Sequence, residues 1–355
     1  MKDINFYKNK KILITGDTGF KGSWLSFILI NLGAEVYGYS LPPKSKDDLY
    51  LKLNLSNRIN HLDGNLLDKE RLNLYINQIE PEIVFHLAAQ SLVIDSYDDP
   101  VNTFETNILG SMNLLESVKN SKSVKSLVYV TSDKCYKNNE WIWGYRENDE
   151  LGGNDPYSAS KAAAEIIFSS YKVSFFDKIN HLGVASVRAG NVIGGGDWAK
   201  NRIIPDIVRS IKDDLPINIR NPNSTRPWQH VLDPLNGYML LAQSLYLEPS
   251  KFSGSWNFGP TYSSIQNVLY LTNKSIALFN KGSIFINQNE NNHHESNALH
   301  LNCDKANLKL NWKPVWNFEQ TMIQTILWYK NYLNGDEAEI LTINDIIKYN
   351  NDKKY

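Results

Sequence analysis

Tyr157 and Lys161 lie four residues apart, and their types and spacing could do acid–base chemistry. On a helix the two side chains would share one face, where the lysine ammonium favours the phenolate and lowers the pKa of the tyrosine. The phenolic oxygen would then be a usable general base. The same spacing occurs at three other places, Tyr7/Lys11, Tyr270/Lys274 and Tyr349/Lys353. Only Tyr157/Lys161 stands in a first helical turn downstream of a glycine-rich loop, so we assign the other three pairs to solvated surfaces.

A hydroxyl, a carboxyl and an amine follow a buried-strand pattern at Ser132, Asp133 and Lys134. The carboxyl ends of parallel strands are where ligands bind in α/β sheets. There a hydroxyl can hydrogen-bond a sugar oxygen, and a carboxylic acid with a raised pKa can protonate a leaving group. Asp133 and Lys134 could instead form a simple ion pair in a loop. Because Tyr157 follows downstream, we favour the catalytic interpretation.

Three glycines, Gly16, Gly19 and Gly22, follow the first predicted strand and open the first predicted helix. Glycine lets the chain turn tightly and lets a pyrophosphate approach the N–H groups of a helix N-terminus. The position between a strand and a helix favours a dinucleotide site over an ordinary strand-to-helix turn. The second predicted strand ends in Tyr39-Ser40-Leu41-Pro42-Pro43, without the usual acidic residue for a ribose, and Lys44 leaves the choice between NAD and NADP open.

Short apolar runs alternate with longer helical patterns over the first half of the chain. The predicted strands are Lys11–Thr15, Glu35–Tyr39, Glu82–Ala88, Val124–Val130 and Val184–Arg188. The predicted helices are Phe20–Leu32, Lys69–Glu80, Asn102–Lys119, Pro156–Tyr171 and Asn317–Leu333. This alternation predicts an α/β fold with a Rossmann-like, doubly wound parallel sheet. After about residue 190, loop-rich segments predict a smaller C-terminal substrate-binding region, and the polar tail at 341–355 should fray over Asn344–Tyr355.

The composition is typical of a soluble globular protein, since the 355 residues are 42% apolar and 21% charged with a net charge of -1. This balance argues against a chain-wide basic face for nucleic acid. Two cysteines, Cys135 and Cys303, are too few for a disulfide framework and fit a reducing compartment. We see no signal peptide and no apolar stretch long enough to span a bilayer, so we expect a cytoplasmic protein that does not bind membranes. We expect no metal site, because His293, His294 and His300 lack a known ligand spacing.

The chain resembles the extended short-chain dehydrogenase/reductase family from about Lys10 to Leu333. The matching features are the glycine loop, His86-Leu87-Ala88-Ala89, Asn107, Ser132 and Tyr157/Lys161. The resemblance implies that residues 1–190 form an NAD-binding Rossmann domain that also carries the catalytic pair. It implies cofactor contacts at Gly16, Gly19, Phe20, Gly22, Ser40, Asn65, Leu66, Leu87, Ala88, Ala89, Asn107, Thr131, Tyr157 and Lys161. His86, in a buried strand, is expected to be structural.

Within this family the chain is similar to the nucleotide-sugar branch, and in particular to dehydratases that act on CDP-glucose. The similarity is carried by GDTGFKGSWL (16–25), HLAAQSLV (86–93), VTSDKCY (130–136), DPYSASK (155–161), RAGNVIGGGDW (188–198), NRIIPD (201–206) and RPWQHVLDP (226–234). Residues 191–340 would then mainly bind the nucleotide sugar, with arginines converging on its pyrophosphate. The expected substrate contacts are Gln90, Asn191, Trp198, Arg202, Arg220 and Arg226.

The resemblance implies a cycle of oxidation, elimination and reduction. Tyr157, helped by Ser132 and Lys161, takes the proton of the C4 hydroxyl while the C4 hydride moves to NAD. Water then leaves across C5–C6, with Asp133 protonating the departing hydroxyl, and the hydride returns to C6. The product would be CDP-4-dehydro-6-deoxyglucose. Lys134 stands where dTDP-glucose dehydratases carry the glutamate that removes the C5 proton, so the identity of that base stays open.

Three alternative functions stay open: another nucleotide-sugar 4,6-dehydratase, a nucleotide-sugar 4-epimerase, or a dinucleotide-sensing binding protein without activity. Asp133 argues for a dehydratase, because an epimerase needs no acid at C6, and the intact Tyr157/Lys161 pair argues against a binding protein. The family commonly dimerises through two helices per subunit, here Asn102–Lys119 and Pro156–Tyr171, so we expect a homodimer or homotetramer. Trp141 and Trp143 could form a lid or pack in the core.

Overall fold

The computed structural model describes residues 5–286 and 299–353. Its strands are β1 (Lys11–Thr15), β2 (Glu35–Ser40), β3 (Asn60–Asp63), β4 (Ile83–His86), β5 (Ser126–Val130), β6 (Gly183–Ala189), β7 (Val192–Ile193), β8 (Ile217–Ile219), β9 (Thr225–Pro227), β10 (Gln229–His230), β11 (Gly254–Phe258), β12 (Ile265–Asn267) and β13 (Ile284–Ile286). Its helices are α1 (Phe20–Asn31), α2 (Leu49–Lys52), α3 (Lys69–Ile79), α4 (Val93–Asp98), α5 (Pro100–Phe104), α6 (Ser111–Asn120), α7 (Pro156–Ser174), α8 (Ile203–Lys212), α9 (Leu232–Leu247), α10 (Pro249–Phe252), α11 (Val268–Phe279), α12 (Asp304–Leu310), α13 (Phe318–Leu333) and α14 (Ala338–Asp352). The predicted helix Asn102–Lys119 corresponds to α5 and α6, which are joined by the π-helical turn Glu105–Gly110.

Seven parallel strands form the central sheet, in the order β11-β6-β5-β4-β1-β2-β3. The predicted Rossmann-like α/β fold is therefore confirmed. The two faces of the sheet bury separate apolar clusters, with Leu13 and Val84 on one side and Ile14 and Phe85 on the other. Strand order reverses between β1 and β4, and the carboxyl ends of these two strands open the crevice where such folds bind ligands.

Sequence patterns do not predict two strands of this sheet, β3 and β11. β3 is a short edge strand that begins and ends with the polar residues Asn60 and Asp63. β11 begins at Gly254 in a left-handed conformation with φ of +126°. Trp256 of β11 pairs with Val187 of β6, so a strand from the C-terminal half completes the sheet. The division of the chain at residue 190 stays a prediction.

The C-terminal helix α14 shows that the prediction of a fraying polar tail is wrong for residues 344–352. Leu341, Asp345 and Tyr349 recur every four residues and are buried on one face of the helix. The Tyr349 ring packs edge-on against Trp316 at 5.2 Å. Tyr349 and Tyr7 are both buried, so the assignment of their Tyr/Lys pairs to solvated surfaces is also wrong.

Asp345, on the buried face of α14, lies 3.8 Å from the buried His230, measured from carboxylate Oδ2 to imidazole Nε2. Neither atom has a hydrogen-bond partner among the described residues. Burial raises the pKa of Asp345 to about 8 and lowers the pKa of His230 to about 3, so both side chains favour their uncharged forms. An ionised Asp345 would be an uncompensated buried charge.

We expect the contribution of Asp345 to the free energy of unfolding to fall as pH rises from about 4 to about 8, because in this range Asp345 is protonated in the folded protein and ionised in the unfolded one. The folded-state pKa is raised, so this contribution is present below the unfolded pKa and is lost as pH passes the folded pKa. Asp345→Asn should reduce the decline by at least about 1 kcal/mol. Urea unfolding across this pH range measures it, with Asp336→Asn, at an exposed position, as the control. A parallel decline in all three proteins would contradict the prediction.

Candidate active site

The glycine loop lies at the switch point of the sheet, between β1 and α1. Gly16 has a positive φ of 78°, and a Cβ there would lie 2.6 Å from the backbone nitrogen of Ala88. A Cβ on Gly22 would lie 2.0 Å from the Gly16 carbonyl oxygen. Helix α1 begins after Gly19 without a side-chain cap, so the N–H groups of its first turn are not capped by that residue. The loop therefore offers a compact anion site and lies against the end of β4.

The end of β4 continues through Leu87 and Ala88, beside the glycine loop. The Leu87 N–H donates to the Thr15 carbonyl at 3.0 Å. His86 lies 2.7 Å from the Thr15 hydroxyl and 3.0 Å from the Ser111 hydroxyl, and burial lowers its pKa to about 3. These contacts agree with the structural role expected of His86.

Asn107 connects the chain after β4 with the catalytic helix α7. Its Oδ1 accepts from the Gln90 N–H at 2.9 Å, and its Nδ2 donates to the Gln90 carbonyl at 3.0 Å and to Ser160 Oγ at 2.9 Å. Ser160 in turn donates to the Tyr157 carbonyl at 2.7 Å. Asn107 lies in the π-helical turn between α5 and α6, a feature that often marks functional sites. In this structure the residue positions the helix that carries Tyr157.

Two other expected cofactor contacts, Asn65 and Leu66, lie after β3. Asn65 Oδ1 accepts from the Leu67 N–H at 3.0 Å, and its carbonyl accepts from the Tyr39 hydroxyl at 3.0 Å. Leu66 is buried, and a Cβ on Gly110 would lie 2.8 Å from its own Cβ. Both residues shape the loop at this end of the sheet.

Ser132, Asp133 and Lys134 follow β5, and their chain turns at once into the 3-10 segment Asp133–Cys135. Ser132 caps this turn by accepting from the Lys134 N–H at 3.2 Å, and its hydroxyl donates to Asp133 Oδ1 at 3.0 Å. Burial raises the pKa of Asp133, although Lys134, the Ser132 hydrogen bond and Lys21 oppose the shift. A buried carboxyl with a raised pKa is suited to donate a proton.

Tyr157 and Lys161 lie in the first turns of α7, and both are buried. The sequence predicts a lowered pKa for Tyr157, and this prediction is wrong. Burial and, to a smaller extent, the charge of Asp133 raise the pKa of Tyr157 to about 12, although its hydrogen bond with Ser132 opposes the shift. Burial also lowers the pKa of Lys161 to about 8, which weakens the cation expected to act on the phenol. Tyr157 nevertheless forms a hydrogen bond with Ser132, whereas the catalytic roles of Tyr157 and Lys161 stay predictions.

Lys21, within the glycine loop segment, is a residue that sequence reasoning missed. Burial lowers its pKa to about 8, and the charges of Arg202, Asp133 and Lys161 act on it. Lys21 therefore shares the electrostatic environment of Asp133 and Lys161. The sequence feature that could have predicted Lys21 is its position between Phe20 and Gly22, within the glycine loop.

A buried ion pair under the catalytic helix was also missed. Glu165, one turn after Lys161, accepts from Arg188 Nε at 2.9 Å and from Arg188 Nη2 at 2.8 Å. The Thr131 hydroxyl donates to the same carboxylate, so Thr131 supports the ion pair at the end of β5. Arg188 also donates to the Tyr136 hydroxyl at 2.6 Å. The pair fixes α7 to β6 and to the segment after β5.

The three expected substrate arginines lie in different surroundings. Arg202 donates to Asp197 at 2.9 Å and to Ser91 Oγ at 3.1 Å, and its charge acts on Tyr157. Arg226 is buried in β9, where it donates to the Thr225 carbonyl at 2.8 Å. Arg220 is exposed. The structure thus brings Arg202 to the Tyr157 side of the crevice, whereas a role for Arg220 stays a prediction.

Gln90, Asn191 and Trp198 are partly exposed. The Gln90 amide nitrogen donates to the Leu92 carbonyl at 2.9 Å and to Thr103 at 3.0 Å, so it stabilises a turn. The Asn191 carbonyl accepts from the Gln229 N–H at 3.0 Å. Trp198 packs edge-on against Tyr329 at 5.3 Å. Their side chains as substrate contacts stay predictions.

The aromatic insertion before α7 is divided between packing and exposure. Trp141 stacks on Tyr145 at 5.0 Å, whereas Trp143 is 66% exposed. The two tryptophan rings meet edge-on at 6.0 Å, so Trp143 covers Trp141 from the solvent side without being buried itself. Of the three histidines considered as metal ligands, His293 and His294 lie outside the described residues, and the ring of His300 contacts Tyr262 at 5.4 Å.

The doubly wound sheet, the glycine loop at its switch point and the buried Ser132, Tyr157 and Lys161 define a dinucleotide-binding fold of the extended short-chain dehydrogenase/reductase class. Within this class, the chain belongs to the GDP-mannose 4,6 dehydratase family, whose model matches residues 13–325. The resemblance to the nucleotide-sugar branch is thereby confirmed.

Comparisons with individual proteins agree with this family. The chain is 46% identical over 353 residues to CDP-glucose 4,6-dehydratase of Salmonella typhimurium, covering 98% of each chain. It is 27% identical to dTDP-D-glucose 4,6-dehydratase of Dictyostelium discoideum, over 92% of this chain and 82% of that one. The crystal structure of dTDP-glucose 4,6-dehydratase from Bacillus anthracis in complex with NAD has a TM-score of 0.77, at 21% identity, over 92% of this chain and 98% of that one. At that identity the likeness shows the fold.

Proposed function

We propose that this chain is an NAD-dependent CDP-glucose 4,6-dehydratase, a hydro-lyase that converts CDP-D-glucose to CDP-4-dehydro-6-deoxy-D-glucose and water. The observation that carries the proposal is the buried Asp133, with its raised pKa, beside Ser132. Oxidation at C4 needs a base such as Tyr157, whereas loss of the C6 hydroxyl also needs an acid. The 46% identity with the Salmonella CDP-glucose 4,6-dehydratase over 98% of both chains supports the substrate.

The residues of the crevice fit NAD. The uncapped first turn of α1 offers its N–H groups to a pyrophosphate, and the close approach of Gly16 to Ala88 leaves no room for a side chain at residue 16. Ser40, at the end of β2, would hold a ribose, and Lys161 would hold the catalytic end of the dinucleotide. Bound NAD supplies an acceptor that takes the C4 hydride and returns it to C6, so the overall reaction is redox-neutral.

The chain's own residues move the protons. Tyr157, hydrogen-bonded to Ser132, takes the proton of the C4 hydroxyl as the C4 carbonyl forms, and it must be ionised to do so. The positive charge of a bound, oxidised nicotinamide would favour the phenolate against the burial that raises its pKa. The new carbonyl acidifies the C5 hydrogen, and the C5 electron pair expels the C6 hydroxyl. Asp133 gives its proton to that hydroxyl, which leaves as water. A proton returns to C5 when the hydride returns to C6, which balances the cycle.

Two amines near Asp133, Lys134 and Lys21, are candidates for the base that removes the C5 proton. A lysine acts as a base only when its pKa is lowered toward the working pH. Burial lowers the pKa of Lys21 to about 8, so a fraction of this side chain is neutral near neutral pH.

The experiment that tests the function is incubation of the purified protein with CDP-glucose, without added reductant. Formation of the 4-keto sugar is followed by its absorbance in alkali, and loss of water by mass spectrometry. UDP-glucose and dTDP-glucose are run in parallel. Dehydration of CDP-glucose alone is the expected result. Dehydration of another nucleotide sugar alone would overturn the substrate, and epimerisation without water loss would favour a 4-epimerase.

We propose that the protein works in the cytoplasm. Cys135 and Cys303 are both free thiols, which suits a reducing compartment such as the cytoplasm. Among residues 5–286 and 299–353, none of the helices combines the length and the apolar character that crossing a membrane would require. We propose that nucleotide-sugar binding lies mainly in residues 191–340, which include Arg202 on the Tyr157 side of the crevice.

We expect the protein to be a homodimer, or a dimer of dimers, that pairs α5–α6 and α7 of each subunit. These neighbouring helices expose apolar side chains, namely Val101, Phe104, Leu109, Ile166 and Val173. Ile166 is 59% exposed at the middle of α7. Placing a charge there should bury it in the interface, so Ile166→Glu should yield monomers by light scattering at micromolar concentration.

The matched control is Ile347→Glu, because Ile347 is 53% exposed on α14, outside the proposed interface. This variant should keep the wild-type mass. A monomeric wild-type protein, or equal dissociation of both variants, would contradict the proposed interface.

A further inference from the structure

The end of β2 lacks the acidic residue that usually binds the adenosine ribose in dinucleotide folds. The residue there is Ser40, which is buried. Its Oγ donates to Asp17 Oδ1 at 2.9 Å. Asp17 belongs to the glycine loop and is fully buried, so a carboxylate reaches this strand end from another segment.

The Asp17 carboxylate is held on both oxygens. Its Oδ2 lies 2.7 Å from His61 Nδ1, while Oδ1 accepts from Ser40. A Cβ on Gly38 would lie 2.2 Å from Asp17 Oδ2, so glycine in the middle of β2 makes room for this carboxylate. His61 Nε2 lies 3.0 Å from Asp63 Oδ1. The four side chains form a chain of hydrogen bonds across the ends of β1, β2 and β3.

The directions of these hydrogen bonds decide what the strand end can recognise. Ser40 has a single hydroxyl proton, and the ionised Asp17 is the strongest acceptor within its reach. The Thr18 hydroxyl lies 2.9 Å from Ser40 Oγ and donates to the Leu41 carbonyl at 2.9 Å, while Ser40 Oγ lies farther from that carbonyl, at 3.2 Å, than from Asp17. The oxygen of Ser40 is thus left as an acceptor. A ribose hydroxyl can donate to it, whereas a ribose phosphate cannot.

The charged groups around Ser40 also disfavour a phosphate at this strand end. Asp63 is 63% exposed at the carboxyl end of β3, directly beside Ser40 in the sheet. Asp17 and Asp63 together carry two negative charges against one imidazolium. A 2′-phosphate placed here would meet net negative charge. Lys44, the first cation along the chain after β2, is exposed to solvent.

We infer that Asp17 replaces the missing acidic residue of β2 and, through Ser40, His61 and Asp63, makes the site select NAD over NADP. Asp17 is a positioning residue, because it acts through the Ser40 hydroxyl and not by contact with the cofactor. The inference rests on the proposed function only in that the ligand is a nicotinamide dinucleotide. A protein that binds this dinucleotide but dehydrates no sugar would overturn the proposed function and leave the inference intact.

The selection should depend on pH through His61. Burial opposes the charged form of His61, but Asp17 and Asp63 together raise its pKa above the ordinary value. The other titratable group facing the imidazole is Tyr50, whose ring lies at 5.5 Å and whose pKa burial raises, so it stays uncharged. As pH rises through the His61 pKa, the cluster changes from one net negative charge to two. Binding of NADPH should then weaken relative to binding of NADH.

The test is titration of the full-length protein, freed of nucleotide, with NADH and with NADPH, followed by nicotinamide fluorescence. The wild-type protein should bind NADH at least about 100-fold more tightly than NADPH. Asp17→Asn should reduce this ratio by about tenfold or more, because the amide no longer fixes the Ser40 proton and carries no charge. Asp47→Asn, which removes a carboxylate from the loop after β2 but lies outside the cluster, should leave the ratio within about twofold.

An unchanged ratio in Asp17→Asn, or a wild-type protein that binds NADPH as tightly as NADH, would overturn the inference. If Asp17→Asn does not fold, Ser40→Ala replaces it, since it keeps the buried carboxylate and removes only the acceptor. That variant should weaken NADH binding by about tenfold while NADPH binding stays nearly constant. Unchanged NADH binding in Ser40→Ala would equally overturn the inference.

Discussion

Asp133→Asn is expected to halt the proposed reaction after the first oxidation and to slow water loss by about 10²–10⁴-fold. Asparagine keeps the size of the side chain but has no proton to give to the C6 hydroxyl. Tyr157 and Ser132 are untouched, so the C4 hydroxyl can still be oxidised. Reduced nicotinamide should therefore accumulate to nearly one equivalent per site after mixing with CDP-glucose. Its absorbance, together with mass spectrometry of the sugar, measures the arrest.

Tyr157→Phe is the matched control, because it removes the base of the first step and leaves Asp133 in place. This variant should accumulate neither reduced nicotinamide nor dehydrated sugar. The contrast between the two variants separates oxidation from elimination. Dehydration by Asp133→Asn at the wild-type rate would show that another group protonates the leaving hydroxyl.

The parts of the fold that the sequence predicts well are those with a strong local pattern. The apolar run of β1 is buried on both faces and matches its predicted bounds, Lys11–Thr15. β3 and β11 carry no such run, because β3 is a four-residue edge strand and β11 interrupts its apolar residues with Asn257. The C-terminal helix α14 also lacks a strong local pattern, because Leu341 and Tyr349 make only a narrow apolar face within a polar sequence.

The site likewise has residues that a local sequence pattern predicts and contacts that no local pattern predicts. Ser132, Tyr157 and Lys161 could be found because each stands at a recognisable strand end or helix start. The Asp17–His61 contact joins residues 44 positions apart, so no local sequence pattern predicts it. The direction of the Tyr157 pKa could not be predicted from spacing, because burial and Asp133 outweigh the effects that favour the phenolate. The burial of Tyr157 depends on the whole fold and cannot be inferred from the five residues between Tyr157 and Lys161 inclusive.

The Glu165–Arg188 pair shows how strongly the catalytic helix depends on such long-range contacts. Both side chains are at most 3% exposed, and their N–O distance is 2.8 Å. Burial acts to raise the pKa of Glu165, but Arg188 and the hydrogen bonds of Thr131 and Ser186 outweigh it, so the pKa is lowered. The folded protein therefore holds Glu165 ionised, and the stabilisation it gives is present at neutral pH and lost as pH falls through the folded-state pKa.

Glu165→Gln should lower the free energy of unfolding by about 3–5 kcal/mol near neutral pH, because it leaves the Arg188 guanidinium buried without a counter-charge. Urea unfolding measures the loss, which should shrink as acid protonates Glu165 in the wild-type protein. The double variant Glu165→Gln with Arg188→Met removes both charges and should recover part of the stability, whereas additive losses would show that the two side chains do not act as a pair.

Because Glu165 also raises the pKa of Lys161 from one turn away, the single variant should shift the pH dependence of C4 oxidation as well as the stability. A stability loss without that shift would confine the pair to holding α7 in place.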